Sequence, residues 1–355
     1  MATTDYPVNH PLAVKVWGRD LFHEALAETY FSKFSGKGTD VLCQIRSELN
    51  KGPGDRIRVG LRVQLNGDGT AGDGTLEGNE EALSTFYDDL FVDQLRHAVR
   101  SGGKMSEQRV PFSVRNEAKA GLKDWWRDRL DTAFFNQLCG YTPANADTRY
   151  TGMQLVVGAS ADRVVRPSTV SDDQSLSTGN PFSLALIDKA VELAETTSPM
   201  IRPFTINGEK KFVAFLHPYQ VTDLRTNANT GQWLDIEKAA MAGGRVSKSP
   251  IYTGALGEYN GVILHKANRI PQGVHSSSGA VVTGVRRAVF CGAQAMLMGY
   301  GQRTSGVSDM DWVEEKFDYG NQLGVAAGLI FGMKKTVFNS KDFGTIVMAT
   351  SAAAH

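Results

Sequence analysis

The segment that most constrains this chain runs from Arg56 to Glu81. It begins as an alternating strand, IRVGLRVQL, and successive side chains of a strand point to opposite sides. Ile57, Val59, Leu61, Val63 and Leu65 therefore share one face, and Arg56, Arg58, Arg62 and Gln64 share the other. The chain continues as NGDGTAGDGTLEGNEE, too polar and too rich in glycine to bury itself. A basic strand is thus joined to an acidic tip. Charge polarised in this way suits docking on a complementary neighbour and fixing its register more than it suits adding raw affinity. An arm without a core of its own needs a partner, most simply another copy of the chain. The candidate contact residues are Arg56, Arg58, Arg62, Asp68, Asp73, Glu77, Glu80 and Glu81.

The remaining composition is that of a globular protein. Of 355 residues, 41% are apolar and 21% charged, ordinary values for a folded domain. No apolar run reaches the length of about eighteen residues that spans a bilayer, so no membrane partner is expected. The start, MATTDYPVNHPLAVKVWGRD, lacks a basic segment leading into an apolar run, so synthesis and folding are expected in the cytoplasm. Thirty-eight basic residues balance thirty-eight acidic ones. A protein whose affinity rests on neutralising phosphates shows a basic excess or stripe instead. The nearest basic groups, Arg127 with Arg129, Arg286 with Arg287 and Lys334 with Lys335, read as solvated faces. Cys43, Cys139 and Cys291 are odd in number and far apart, which argues for packed thiols over disulfides or zinc.

Along the chain, Met1 to Pro11 reads as an arm, and Val14 to Phe34 as an amphipathic helix ended by Gly36. Val41 to Leu49 is strand-like, and KGPGDR supplies the turn that launches the long arm. Phe86 to Arg100 fits strand or helix, with strand favoured near Leu90 to Leu95. The clearest helix follows Pro111, with Ser113 as N-cap and Val114, Ala118, Leu122, Trp125, Trp126, Leu130, Ala133, Phe134 and Leu138 stepping along one face to Gly140. At 1.5 Å per residue it is roughly 40 Å long, the spine of a domain. Residues 145 to 180 read as a connection. Phe182 to Thr196 and Pro218 to Arg225 read as helices, and Lys211 to Leu216, Gly261 to His265 and Ala280 to Gly299 as strands with turns. From Trp312 onward β-rich runs dominate. Strands and helices without a βαβ rhythm give an α+β fold.

Chemistry is sparse. Gly67, Gly69 and Gly72 fit the dinucleotide pattern GxGxxG, but Gly74 and Gly78 prolong a loop where a helix must open to meet a pyrophosphate. Asp68 and Asp73 lack the spacing of a calcium loop. No histidine pair has metal-ligand spacing, and the acidic pairs Asp88–Asp89 and Glu314–Glu315 point to opposite faces on a strand. No catalytic, cofactor-binding or metal-binding residue is assigned. A rival reading is a homo-oligomeric enzyme with its site in residues 180–300, drawing on His217, Asp223 and Arg225. A third is a monomeric carbohydrate- or ligand-binding module. Particle mass separates them, since an enzyme stops at a small closed oligomer.

The order of parts, together with ELNKGPGDRI (48–57), TLEGNEEAL (75–83), DQLRHAVRSGGKMSEQRVPF (93–112), DWWRDRLDTAFFNQLCG (124–140) and FDYGNQLGVAAGLIFGMKKTVF (317–338), resembles the major capsid proteins of tailed bacteriophages. These share their fold with herpesvirus shells, and the more specific likeness is to the N-four-like podovirus branch. The resemblance implies an N-terminal arm and helix at 1–50, an extended β-hairpin loop at 51–85, a peripheral domain with the spine helix at 86–165, an axial domain at 166–300 and closing strands of the peripheral domain at 301–355. It implies that pentamers and hexamers of one chain form an icosahedral shell around packaged double-stranded DNA, held only in non-specific proximity. Scaffolding, cement and portal proteins are the further partners it implies, with assembly in the bacterial host cytoplasm. Some members of the fold crosslink neighbours through a lysine on the extended loop. This chain has no lysine between Lys51 and Lys104, so subunits are expected to separate in hot detergent.

Overall fold

A computed structural model of the chain describes residues 29–46, 54–62, 69–75, 77–83, 85–168, 170–206, 208–226, 255–301 and 310–354. The expected arm at Met1 to Pro11, most of the expected helix at Val14 to Phe34, and Asp68 lie outside them. The described end of that helix is a 3₁₀ turn, Ser32–Phe34, and Gly36 belongs to strand β1 (Ser35–Gly36) instead of terminating a helix. Next come β2 (Cys43–Arg46), β3 (Arg56–Arg62), β4 (Thr85–Phe91) and β5 (Asp93–Arg100). The ambiguous stretch at 86–100 is therefore strand throughout, broken at Val92.

A short helix α1 (Lys104–Gln108), not foreseen, precedes the spine helix α2 (Val114–Leu138). Ser113 has an extended N-cap backbone without a side-chain capping bond. The other end closes fully. Gly140 adopts φ 60°, its N–H donates to the Gln137 carbonyl, and the Tyr141 N–H donates to that of Asn136. This pair of bonds satisfies carbonyls that a helix end leaves open. Ala118, Leu122, Trp126, Leu130, Ala133, Phe134 and Leu138 turn one face inward, and each large apolar side chain so buried contributes about 1.5–3 kcal/mol.

The remaining elements are β6 (Val164–Val165), α3 (Leu184–Thr196), β7 (Phe204–Ile206), β8 (Glu209–Leu216), α4 (Pro218–Thr226), β9 (Ala255–Tyr259), β10 (Val262–Lys266), β11 (Gln272–Val274), β12 (Val281–Cys291), β13 (Met296–Tyr300), β14 (Asp311–Phe317), β15 (Gln322–Lys335), β16 (Val337–Phe338), β17 (Lys341–Asp342) and β18 (Thr345–Ser351). Two sheets carry the fold. A six-stranded sheet runs β1-β2-β13-β15-β14, with β5 also on β15. An eight-stranded sheet runs β6-β18-β12-β8-β10-β9, with β11 on β12 and β7 on β8.

Strand β8 shows why the second sheet is buried on both sides. Phe212, Ala214 and Leu216 face a core with Phe182 and α3, whereas Val213 and Phe215 face the spine helix. There Phe34 and Phe135 meet the Phe215 ring edge-on at 5.2 and 5.5 Å, and Phe31 stacks on Phe134 at 4.7 Å. Strands β8 and β10 are parallel, with α4 and β9 between them in sequence.

Strand β18, in the segment expected to hold closing strands of the peripheral domain, pairs with β12 and β6 in the eight-stranded sheet. Its seven residues are all buried, and a strand without a wet face needs a sheet covered on both sides. Arg286–Arg287 and Lys334–Lys335 are not the solvated faces expected of them, whereas Arg127 pairs with exposed Asp124 at the surface. Arg287 Nε lies 2.6 Å from buried Asp173, Lys334 pairs with Asp88, and Lys335 is fully buried beside Asp342.

Candidate assembly interface

The long arm is a hairpin. Strands β3 and β4 pair antiparallel from Arg56–Phe91 to Arg62–Thr85, and the described residues of the loop between them, 69–75 and 77–83, are all exposed. Among the described residues, it is the root that meets the body. Ile57 and Leu90 are buried against Leu297, with Val59 and Val92 beside them. Beneath the root, Gly299 of β13 faces Gly332 of β15 across the sheet. A Cβ at Gly299 would lie 2.9 Å from Ile57 Cδ1, and one at Gly332 would run into the Phe91 carbonyl oxygen. The two glycines thus form a flat seat for the hairpin. Polar bonds from the body fix it: the Val337 N–H donates to Asp88 Oδ2 at 3.2 Å, Lys334 Nζ to the Asp89 carbonyl at 3.0 Å and to the Asp88 carboxylate, and Gln154 Nε2 to the Phe91 carbonyl.

The outer face carries a ladder of charge and ring. Arg58 donates from Nε and Nη2 to Asp89 at 2.7 and 3.0 Å and lies over the Tyr87 ring at 4.3 Å. Arg56 donates to Asp89 at 3.3 Å and lies over Phe91 at 4.4 Å. The Arg58 hydrogen bonds hold the Asp89 carboxyl below the usual carboxylate range. Among the sequence-predicted residues, Arg56 and Arg58 are thus brought together, by Asp89 instead of by the acidic tip. Arg62 is placed only by its backbone pairing with Thr85. Asp73, Glu77, Glu80 and Glu81 are exposed on the loop, where Glu80 Oε2 accepts the Gly78 N–H at 2.8 Å. Asp89, Tyr87 and Phe91 were missed. Their signal was the alternation of FYDDLF opposite RIRVGLR, readable only once the register across the loop is known.

The loop after Gly69 opens no helix among the described residues, whereas a dinucleotide cradle needs one at its glycines. The three residues of the rival site lie on α4 and at the turn into it. Nδ1 of His217 accepts the Tyr219 N–H at 3.2 Å at the start of α4, and burial pushes the imidazole down to about 4. Asp223 and Arg225 follow two residues apart on that helix, a spacing that does not bring side chains face to face. A cavity of about 700 Å³ lies between the segment after the spine helix and the turn into β12, lined by Tyr141, Pro143, Ala146, Tyr150 and Val281. The described residues contain no cluster of His, Cys, Asp or Glu suited to a metal ion.

Residues 5–354 match the family described as phage capsid protein. A major capsid protein of Pseudomonas phage KPP25 is 27% identical over 371 residues, covering 95% of this chain and 94% of its own length. The capsid of Ralstonia phage GP4 is 31% identical, with a TM-score of 0.77 over 100% of this chain and 94% of that one. The cyanophage Pam1 capsid, 22% identical with a TM-score of 0.73 over 93% of this chain and 94% of that one, shares the fold.

Proposed function

The chain belongs to the phage capsid protein family, has the tailed-phage capsid fold and is a major capsid protein of the virion shell; from that premise we propose that its extended hairpin straps one copy to the next. Copies join as pentamers and hexamers around packaged double-stranded DNA, in the cytoplasm of the bacterial host, and the chain's role is structural instead of enzymatic. Scaffolding, cement and portal proteins are its further partners.

The observation that carries the strap is a contrast along one hairpin. Its root is seated on Gly299 and Gly332 and bonded to Lys334 and Val337, while the described residues of the acid-bearing loop beyond it are all exposed. Loops that cross no core are dispensable to the fold that carries them. Deleting Asn66 to Asn79 is therefore expected to leave a folded subunit with the parent's melting curve that no longer forms particles. Loss of folding, or normal particles from the shortened chain, overturns the reading. Subunits held in this way come apart in hot detergent, and a ladder of covalent multimers on a denaturing gel would contradict that.

A further inference from the structure

Three consecutive residues in the turn between β14 and β15 have positive φ: Asp318 at 51°, Tyr319 at 48° and Gly320 at 84°. Glycine adopts this region freely, whereas a bulky side chain is strained there. The turn is nonetheless held firmly. The Gly320 N–H donates to the Phe317 carbonyl at 3.1 Å and the Asn321 N–H to that of Asp318 at 2.9 Å. The Asn321 side chain bonds Asp318 Oδ2 at 3.2 Å and accepts the Lys104 N–H at 3.3 Å. Below it, the Phe317 ring lies against Gly324 and under the Arg100 guanidinium at 4.3 Å.

On this braced turn the Tyr319 side chain stands clear of the chain, with a relative exposure of 109%. A turn that only reversed the chain would be better served by asparagine or glycine at that position. The fold thus carries strain for a ring from which it gains no packing, and such strain collects at functional sites. We propose that the Tyr319 tip is an anchor that seats in a second copy of the chain, at a contact distinct from the extended loop.

The occupant follows from the setting. The tip recurs on every subunit of a shell made from this chain, so its partner must be equally numerous; the inference rests on the shell reading in that respect. Exposed Glu315, Lys316 and Asp318 give the surroundings mixed charge, which suits a protein surface and not a polyanion. Tyrosine is also, with tryptophan and arginine, among the side chains enriched at the residues that dominate protein contacts.

The test uses full-length chain expressed alone, as parent, Tyr319→Asn and Tyr319→Phe. The Asn variant is expected to melt at or above the parent, because the turn is relieved. It is also expected to need at least about tenfold more protein for half of it to enter particles, the loss of one anchor per contact. The Phe variant keeps the ring and assembles close to the parent. Nitration of Tyr319 in parental particles is expected to be at least about tenfold slower than in dissociated subunits, the same anchor being occluded. The inference is overturned if the Asn variant assembles at the parental concentration, if it melts well below the parent, or if nitration is equally fast in both states. A cement protein as the true occupant would give the first of these outcomes, since chain-only particles contain none. A parent that forms no particles would instead remove the shell reading, and this contact with it.

Discussion

Lys335 Nζ lies 2.7 Å from Asp342 Oδ1, and both side chains are excluded from solvent. The pair joins the end of β15 to β17, with Gly158 and Ser160 supplying a carbonyl and an amide beside it. Burial lowers the lysine's proton affinity and the aspartate restores part of it. Removing one partner leaves an uncompensated buried charge, which costs about 3–5 kcal/mol, whereas replacing both with apolar groups is often close to neutral. Lys335→Met is therefore expected to destabilise the subunit by that amount, and Lys335→Met with Asp342→Leu by clearly less. Denaturant unfolding of the two variants checks this, and additive losses would count against the pairing.

That burial was not legible in the sequence, and the reason is general. Lys334–Lys335 reads as a wet doublet until a fold brings Asp88 and Asp342 to it, because local composition carries no record of a distant counter-charge. The spine helix was legible because Leu122, Trp126, Leu130 and Phe134 step with the helical period and end at Gly140. KFVAFL read as a strand for an equally local reason. Which sheet TIVMATS joins was not legible, since an apolar run looks the same in either. Helix α1 was missed because KMSEQ has no apolar period. Of the candidate contact residues, the exposure of Asp73, Glu77, Glu80 and Glu81 could be read from their neighbours. The capture of Arg56 and Arg58 by Asp89 could not, because it depends on register.

Asp131 on the spine helix accepts the Tyr30 N–H at 2.9 Å, where the described chain begins. Burial raises its carboxyl to about 6, so the folded state binds that proton more tightly than the unfolded chain does. Its contribution to stability is present below the ordinary carboxylate value near 4 and is lost as pH rises through about 6. Between pH 7 and pH 4 the parent is expected to gain on the order of 2 kcal/mol relative to Asp131→Asn. Urea titrations of both across that window measure it, and parallel pH profiles would rule the effect out.

Two glycines are expected to respond to alanine in opposite directions. Gly121 lies inside the spine helix with open space where a Cβ would go, so Gly121→Ala is expected to stabilise by about 1 kcal/mol. Gly332 lies under the Phe91 carbonyl at the foot of the hairpin. Gly332→Ala must push that strand away, at about 1–3 kcal/mol. Thermal melts of the two subunits decide the matter: a rise for the first and a fall for the second support the seat, and equal shifts do not.

The acidic loop gives an electrostatic test of the strap. Asp73, Glu77, Glu80 and Glu81 are all exposed, and the segment from residue 63 to residue 83 contains no lysine or arginine. Their attraction to a neighbour must act through water, where the screening length falls from about 10 Å at 0.1 M salt to about 3 Å at 1 M. Changing all four to their amides should leave the melting curve of the subunit alone, because none is buried. It should raise the protein concentration needed for particles at low salt and flatten the dependence of assembly on salt that the parent shows. Changing them to lysine should weaken assembly further at low salt and reverse the trend, since added salt then screens repulsion. Light scattering across a salt series follows all three chains. Parental salt dependence in the amide variant would mean that the loop is held by its backbone and apolar face, with the charges idle.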